Sequence, residues 1–257
     1  MREFGELVEV MARLRRECPW DRKQTHRSIR PYLIEEAYEV AEAIEEEDDR
    51  ALKEELGDLL LQVVFHAKIA EERGAFGIKE VLRDLMDKLV RRHPHVFGDA
   101  DVRDAGEVLE RWEQIKRGEG RSSVLDGVPK GLPALLRAWR VQEKASRVGF
   151  DWERAEGALE KLREELGELE AAAAARDQKR IEEELGGLLF SVVNLSRLLG
   201  VDPEWALQNA VEKFAARFRA VEEALARRGR TLQEATLEEM DRIWEEIKVG
   251  ADGCPPS

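Results

Sequence analysis

Leu33-Ile34-Glu35-Glu36-Ala37-Tyr38-Glu39, followed by Glu54-Glu55-Leu56-Gly57-Asp58-Leu59-Leu60, decides the fold of this 257-residue chain. Both segments recur. Leu162-Arg163-Glu164-Glu165-Leu166-Gly167-Glu168 and Glu183-Glu184-Leu185-Gly186-Gly187-Leu188-Leu189 each stand 129 positions after their counterparts. One offset kept through two motifs and the turn between them marks an internal duplication. Further out, Trp20-Asp21 has a partner in Phe150-Asp151, and Lys88 and Arg92 have partners in Lys213 and Arg217. Trp112-Glu113-Gln114-Ile115-Lys116 is mirrored by Trp244-Glu245-Glu246-Ile247-Lys248. The stretch 118–133, rich in Gly, Ser and Pro, reads as a linker. The expected organisation is an N-terminal domain over 1–120, a linker over 121–135, a C-terminal domain over 136–250 and a disordered tail over 251–257.

Within each copy the apolar spacing is helical. Leu33, Ile34, Ala37, Val40, Ala41 and Ile44 fall on one arc at about 100° per residue. This predicts a helix with Pro31 in its first turn, where a missing N–H costs nothing. Further helices are expected over 49–72, 78–92, 104–116 and 133–146. His93-Pro94 stops the 78–92 helix and Gly118 follows the 104–116 helix. No segment alternates as a strand. The expected fold is all-α, with two tandem helical bundles.

Composition narrows the function. Apolar residues make up 43% of the chain, enough for a core, and the abundance of Glu, Lys, Arg, Leu and Ala suits long amphipathic helices. No apolar run reaches the length of a membrane span and the N-terminus has no signal core, so a soluble, cytoplasmic protein is expected. Cys18 and Cys254 are too few for a disulfide framework or a zinc site. A net charge of −13 argues against nucleic-acid binding, which needs a positive face. An acidic protein that handles phosphates needs a cation and local basic residues.

The acids sit in the right places for that. On the first helix Glu36 and Glu39 lie about 60° apart in projection, beside the apolar arc, while Glu35 faces away. On the second, Glu55 and Asp58 flank a main apolar arc of Leu52, Leu56, Leu59, Leu60, Val63 and Ala67. A second strip of Leu61, Phe65 and Ile69 lies on their other side, and Gln62 sits among them. Clustered carboxylates repel one another, and a divalent cation resolves the conflict. All-oxygen ligands suit Mg²⁺ or Mn²⁺, and no His stands three residues after a Glu as a di-iron bundle would require. Lys88 and Arg92, one turn apart, are candidate phosphate ligands, repeated as Lys213 and Arg217. Trp20, Phe150, Trp112 and Trp244 suit either core packing or contact with a nucleobase.

These residues resemble the MazG family of nucleoside triphosphate pyrophosphohydrolases over nearly the whole chain. The resemblance rests on CPWDRKQTH at 18–26, YLIEEAYEVAEAI at 32–44, KEELGDLLLQVVFHA at 53–67 and KLVRRHPHVFG at 88–98. VGFDW at 148–152, EEELGGLLFSVVNLSR at 182–197 and KFAARF at 213–218 resemble the second domain of the long, tandem form. It implies dimerisation and Mg²⁺-dependent hydrolysis of NTPs and dNTPs to monophosphate and pyrophosphate, in nucleotide-pool house-cleaning. It further implies Glu36, Glu39, Glu55 and Asp58 as catalytic metal ligands, with Trp20, Lys88, Arg92, Trp112 and Lys116 on the substrate. In the second domain the implied substrate contacts are Lys213, Arg217, Trp244 and Lys248.

One position departs from the pattern. Gly187 stands where the family's Asp is required, leaving Glu165, Glu168 and Glu184 as a degenerate second site. In the long form the second domain is often regarded as the active one, yet here the intact acid set lies in the first. The alternative is a non-catalytic helical scaffold or regulator binding nucleotides or a protein partner. A γ-phosphate-cleaving enzyme is disfavoured, because no P-loop is present.

Overall fold

A computed structural model describes residues 2–104, 106–108, 111–112, 115 and 123–252, with side chains as far as 248. Helices are the main regular structure of the described residues, with no strand among them. They divide into two compact units, 1–112 and 113–257. The first holds α1 (Arg2–Glu17), α2 (His26–Glu45), α3 (Asp49–Glu72), α4 (Ile78–Arg92) and the single turn α5 (Pro94–Phe97). The second holds α6 (Ala134–Ser146), α7 (Ala155–Ala175), α8 (Gln178–Leu198), α9 (Pro203–Arg227) and α10 (Leu237–Asp252). No single helix among them is long and apolar enough to cross a membrane. The expected 104–116 helix lies partly outside the described residues, as do Lys116, Cys254 and most of the expected tail. Of that tail, 251 and 252 continue α10.

Each unit is organised around a helical hairpin, α2–α3 and α7–α8. The hairpin turns are built alike. Glu47 (φ 53°) and Arg176 (φ 55°), equivalent positions, are the two left-handed non-glycine residues among those described. Such residues cost on the order of 1 kcal/mol or more, and both turns hold them in the same way. The next residue, Asp48 or Asp177, caps the following helix through its side chain, to Arg50 N and Ala51 N or to Arg180 N.

The structure corrects two expectations. Pro31 lies inside α2 rather than in its first turn. The helix begins earlier because Thr25 and Ser28 form a reciprocal capping box, Thr25 N donating to Ser28 Oγ at 2.8 Å. Pro31 then forgoes one helical hydrogen bond. The second correction concerns which face is core. Met11, Ile29, Val64, Phe65 and Ile69 form the buried cluster, so the strip Leu61–Phe65–Ile69 faces inward. The expected main arc stays largely open: Leu56, Leu60 and Val63 are exposed, as are Ile34 and Ile44 on α2. Ala43, between the acids in projection, is buried instead, because α2 and α3 meet on their acid-bearing faces.

Candidate functional site

That packing puts carboxylates at the centre of each hairpin. In the first unit Glu36 and Glu39 of α2 and Glu55 of α3 bring ligand oxygens within 4.8 Å of one another. Asp58, one turn along α3, is close enough for its charge to raise the pKa of both Glu36 and Glu55. Burial is the largest cause of both shifts, and the neighbouring acids add to it. Buried Gln62 moderates the effect by donating from Nε2 to Glu36 Oε1 at 3.2 Å. Among the described residues no lysine or arginine pairs with any of the four acids. Such a hard, self-repelling oxygen set fits a divalent cation.

The second unit assembles Glu165, Glu168 and Glu184 with the same spacing, their oxygens also within 4.8 Å. Its electrostatics differ. Lys161, at the position of Tyr32, pairs with Glu165 Oε1 and Glu164 Oε1, both at 2.9 Å. These hydrogen bonds raise the lysine pKa, Glu164's contribution being largest. Arg180 adds a longer contact to Glu184, 3.6 Å. At Gly187 a Cβ would stand 2.0 Å from Glu165 Oε2. Glu165 therefore lies in the space an aspartate at 187 would need.

The remaining sequence-predicted residues are spread more widely. Lys88, on the outer part of α4, lines a groove with Phe76, Glu80, Asp84, Leu85 and Arg91. Arg92 closes α4. Trp112 meets the His93 ring edge-on at 4.8 Å. Trp20 is exposed. Lys213 is exposed, whereas Arg217 lies over the Trp244 ring, 5.9 Å from its centroid. Trp244 also packs against the buried cluster Val221, Leu225 and Ile243, and Lys248 pairs with Glu245 at 2.9 Å. Lys161 went unnoticed in the sequence, although its place four residues before Glu165 was a legible signal.

A duplicated helical hairpin carrying paired acids on facing helices defines an all-α protein with cation-type sites. A family model described as the MazG nucleotide pyrophosphohydrolase domain matches twice, over residues 24–97 and 154–221. The chain is 53% identical to the nucleoside triphosphate pyrophosphohydrolase/pyrophosphatase MazG of Thermotoga maritima, with 96% of each chain covered. It is 47% identical to the nucleoside triphosphate pyrophosphohydrolase of Escherichia coli K12, over 96% of this chain and 98% of that one. The chain belongs to the MazG nucleotide pyrophosphohydrolase family.

Proposed function

We propose that the first copy hydrolyses nucleoside triphosphates between the α- and β-phosphates, and that its domain spans 1–120, with the second over 136–250. The observation that carries this reading is the unpaired set of Glu36, Glu39, Glu55 and Asp58, whose mutual repulsion a cation relieves. These four residues would hold Mg²⁺, or Mn²⁺ in its place. Such an ion supplies Lewis-acid polarisation of phosphoryl oxygens and a more acidic water. In the reaction a water oxygen bonds to the α-phosphorus, the α-phosphorus–oxygen bridge breaks, and pyrophosphate leaves with the bridging electrons. Lys88 and Arg92, with Lys116, are assigned to neutralise the leaving group's charge. Trp112 and Trp20 are assigned to the nucleoside end, and Lys213, Arg217, Trp244 and Lys248 are the corresponding residues of the second copy. Gln62 positions Glu36 through its 3.2 Å hydrogen bond. The working form is a homodimer in the cytoplasm, where nucleotide pools are kept clean.

The test is product identification across a panel of NTPs and dNTPs. Monophosphate and pyrophosphate should appear only with Mg²⁺ or Mn²⁺. Orthophosphate as first product, or full turnover in excess chelator, overturns the reading.

A further inference from the structure

His26 and His66 meet across the first hairpin. His26 is the first residue of α2, just after the Thr25 cap, and His66 lies on α3 one turn beyond Gln62. Their Nδ1 atoms are 2.8 Å apart, the ring centroids 5.1 Å, and the ring planes differ by 5°. The centroid separation exceeds the nitrogen separation by the reach of two ring radii. The two centroids and two nitrogens therefore lie nearly on one line, and the rings meet end to end in one plane. That line is the axis of an imidazole lone pair, so one proton sits between the rings and one ring donates to the other.

The pair resists further protons twice over. When neutral it carries two ring protons, one in the bridge and one on an outer Nε2. A third proton puts an N–H on both Nε2 atoms, and His66 Nε2 is buried with no partner among the described residues. A fourth puts a proton on each facing Nδ1 and breaks the bridge. Burial, and then the charge of His26, accordingly lowers the His66 pKa. Charged groups on the surrounding elements do not offset this. Arg15 of α1 is committed to Glu72 and to the carbonyls of Asp21 and Gln24, Lys68 to Glu71, and Glu80 of α4 to Gly77 N. Arg22 and Lys23 before α2, Arg30 on it and Lys79 on α4 are exposed, and their sign disfavours an imidazolium. No carboxylate enters the balance at His66.

We propose that this pair is a pH-sensitive staple, closed when neutral, that holds the start of α2 on α3 and opens in mild acid, loosening the acid-bearing hairpin of the first copy. The staple rests on the geometry of the two rings; its effect on turnover rests on the activity proposed above for the first copy. Gln62 links the two, since it stands one turn from His66 and donates to Glu36. The second copy has Ala155 and Leu195 at these positions and ties its equivalent loop by Arg197 to Asp151, a pairing with no histidine. The device therefore belongs to the first copy alone. A lowered histidine pKa means that the opened chain takes up protons first. The staple's contribution is thus complete above the ordinary histidine value of about 6.5 and is lost as pH falls through the lowered one.

Hydrogen exchange of the full chain without Mg²⁺, followed by mass spectrometry, reads the backbone amides at the start of α2 at about pH 7.5 and about pH 5.5. Corrected for the intrinsic pH dependence of exchange, their protection should fall roughly fivefold to tenfold in acid, the worth of one net hydrogen bond. His26→Ala, and separately His26→Ala with His66→Leu, which installs the second-copy pair, should show no such step. Pyrophosphate release with Mg²⁺, taken as a ratio between the two pH values, should fall further in the parent than in either variant. No step in the parent, or a step of equal size in the parent and both variants, overturns the staple. An equal activity ratio in all three proteins beside a step in protection overturns its control of the first copy. Absence of pyrophosphate release at both pH values, with the step in place, overturns the activity and leaves the staple standing. If circular dichroism shows the double variant unfolded, His26→Ala, at a half-exposed helix end, decides the comparison alone.

Discussion

Glu165 Oε2 stands 2.0 Å from the point where a Cβ on Gly187 would lie, so one helix of the hairpin has taken the space of the other's missing acid. The equivalent pair in the first copy, Glu36 and Asp58, are two carboxylates whose charges oppose each other. The copies are therefore expected to differ in activity. Glu36→Gln or Asp58→Asn should lower pyrophosphate release at least about a hundredfold, the scale for losing a positioned catalytic group. Glu168→Gln should leave it nearly unchanged. Steady-state assays on the three variants check this, and silence in Glu168→Gln with activity in Asp58→Asn would reverse the assignment of the active domain.

Gly187→Asp should convert the second site into a cation site. The nearest atoms to its new Cβ are those of the Glu165 carboxylate, which can swing aside by giving up its contact with Lys161. Without metal the variant gains a like charge and should melt below the parent protein. With Mg²⁺ it should melt higher than it does in EDTA by more than the parent does, since binding to the native state alone stabilises it. Equal Mg²⁺ shifts in the two proteins would show that no site had formed.

The first-copy acids should make the metal-free protein less stable at neutral pH. Glu36 and Glu55 have pKa values raised in the fold, chiefly by burial and then by their acidic neighbours. A raised carboxyl pKa means that the native state holds the proton more tightly, so stability is greatest below the ordinary carboxylate value. It falls as pH rises through the raised values. Glu72 acts in the opposite sense, because Arg15 lowers its pKa and its contribution disappears as pH falls. Glu39→Gln should therefore raise the melting temperature in EDTA at pH 7, with the gain shrinking toward pH 4. A gain that is flat with pH would assign it to something other than charge.

How much of this was legible in the sequence varied with the physics. Helix type and most ends followed from periodicity and caps, as the bounds of α3 and α4 show. The inward face of α3 did not follow. Leu60 and Phe65 are comparably apolar and lie on opposite strips, and only the packing of α1 on α3, with Met11 against Phe65, selects the second strip. Convergence of Glu36, Glu39 and Glu55 was foreseeable because helical spacing constrains both hairpin arms. The stacking of Arg15 on Phe65 was not, since it joins residues from separate helices with no local pattern.

The strip left open on α3 predicts the oligomeric state. Leu56, Leu60 and Val63 are 49%, 39% and 40% exposed, and their counterparts Leu185, Leu189 and Val192 on α8 are likewise open, at 45%, 50% and 39%. The two copies differ at Asp58 and Gly187 and at Phe65 and Asn194, yet keep the same three apolar side chains facing outward. A solvated face gives no reason for that, because each such side chain is worth roughly 1.5–3 kcal/mol when fully buried. Paired across an interface, the strips of two chains cover one another, and symmetric contacts of this kind close into dimers. Sedimentation at micromolar concentration should give a multiple of the 29.4 kDa chain mass, and the melting temperature should rise with protein concentration. Val63→Asp and Val192→Asp together should shift the mass toward the single chain and abolish that concentration dependence. The substitutions stand on the outward strip, so the buried cluster of Met11, Val64 and Phe65 is untouched and the monomer should keep its helical content. A parent protein that sediments as one chain, with a melting temperature independent of concentration, would mean that the strips are solvated after all.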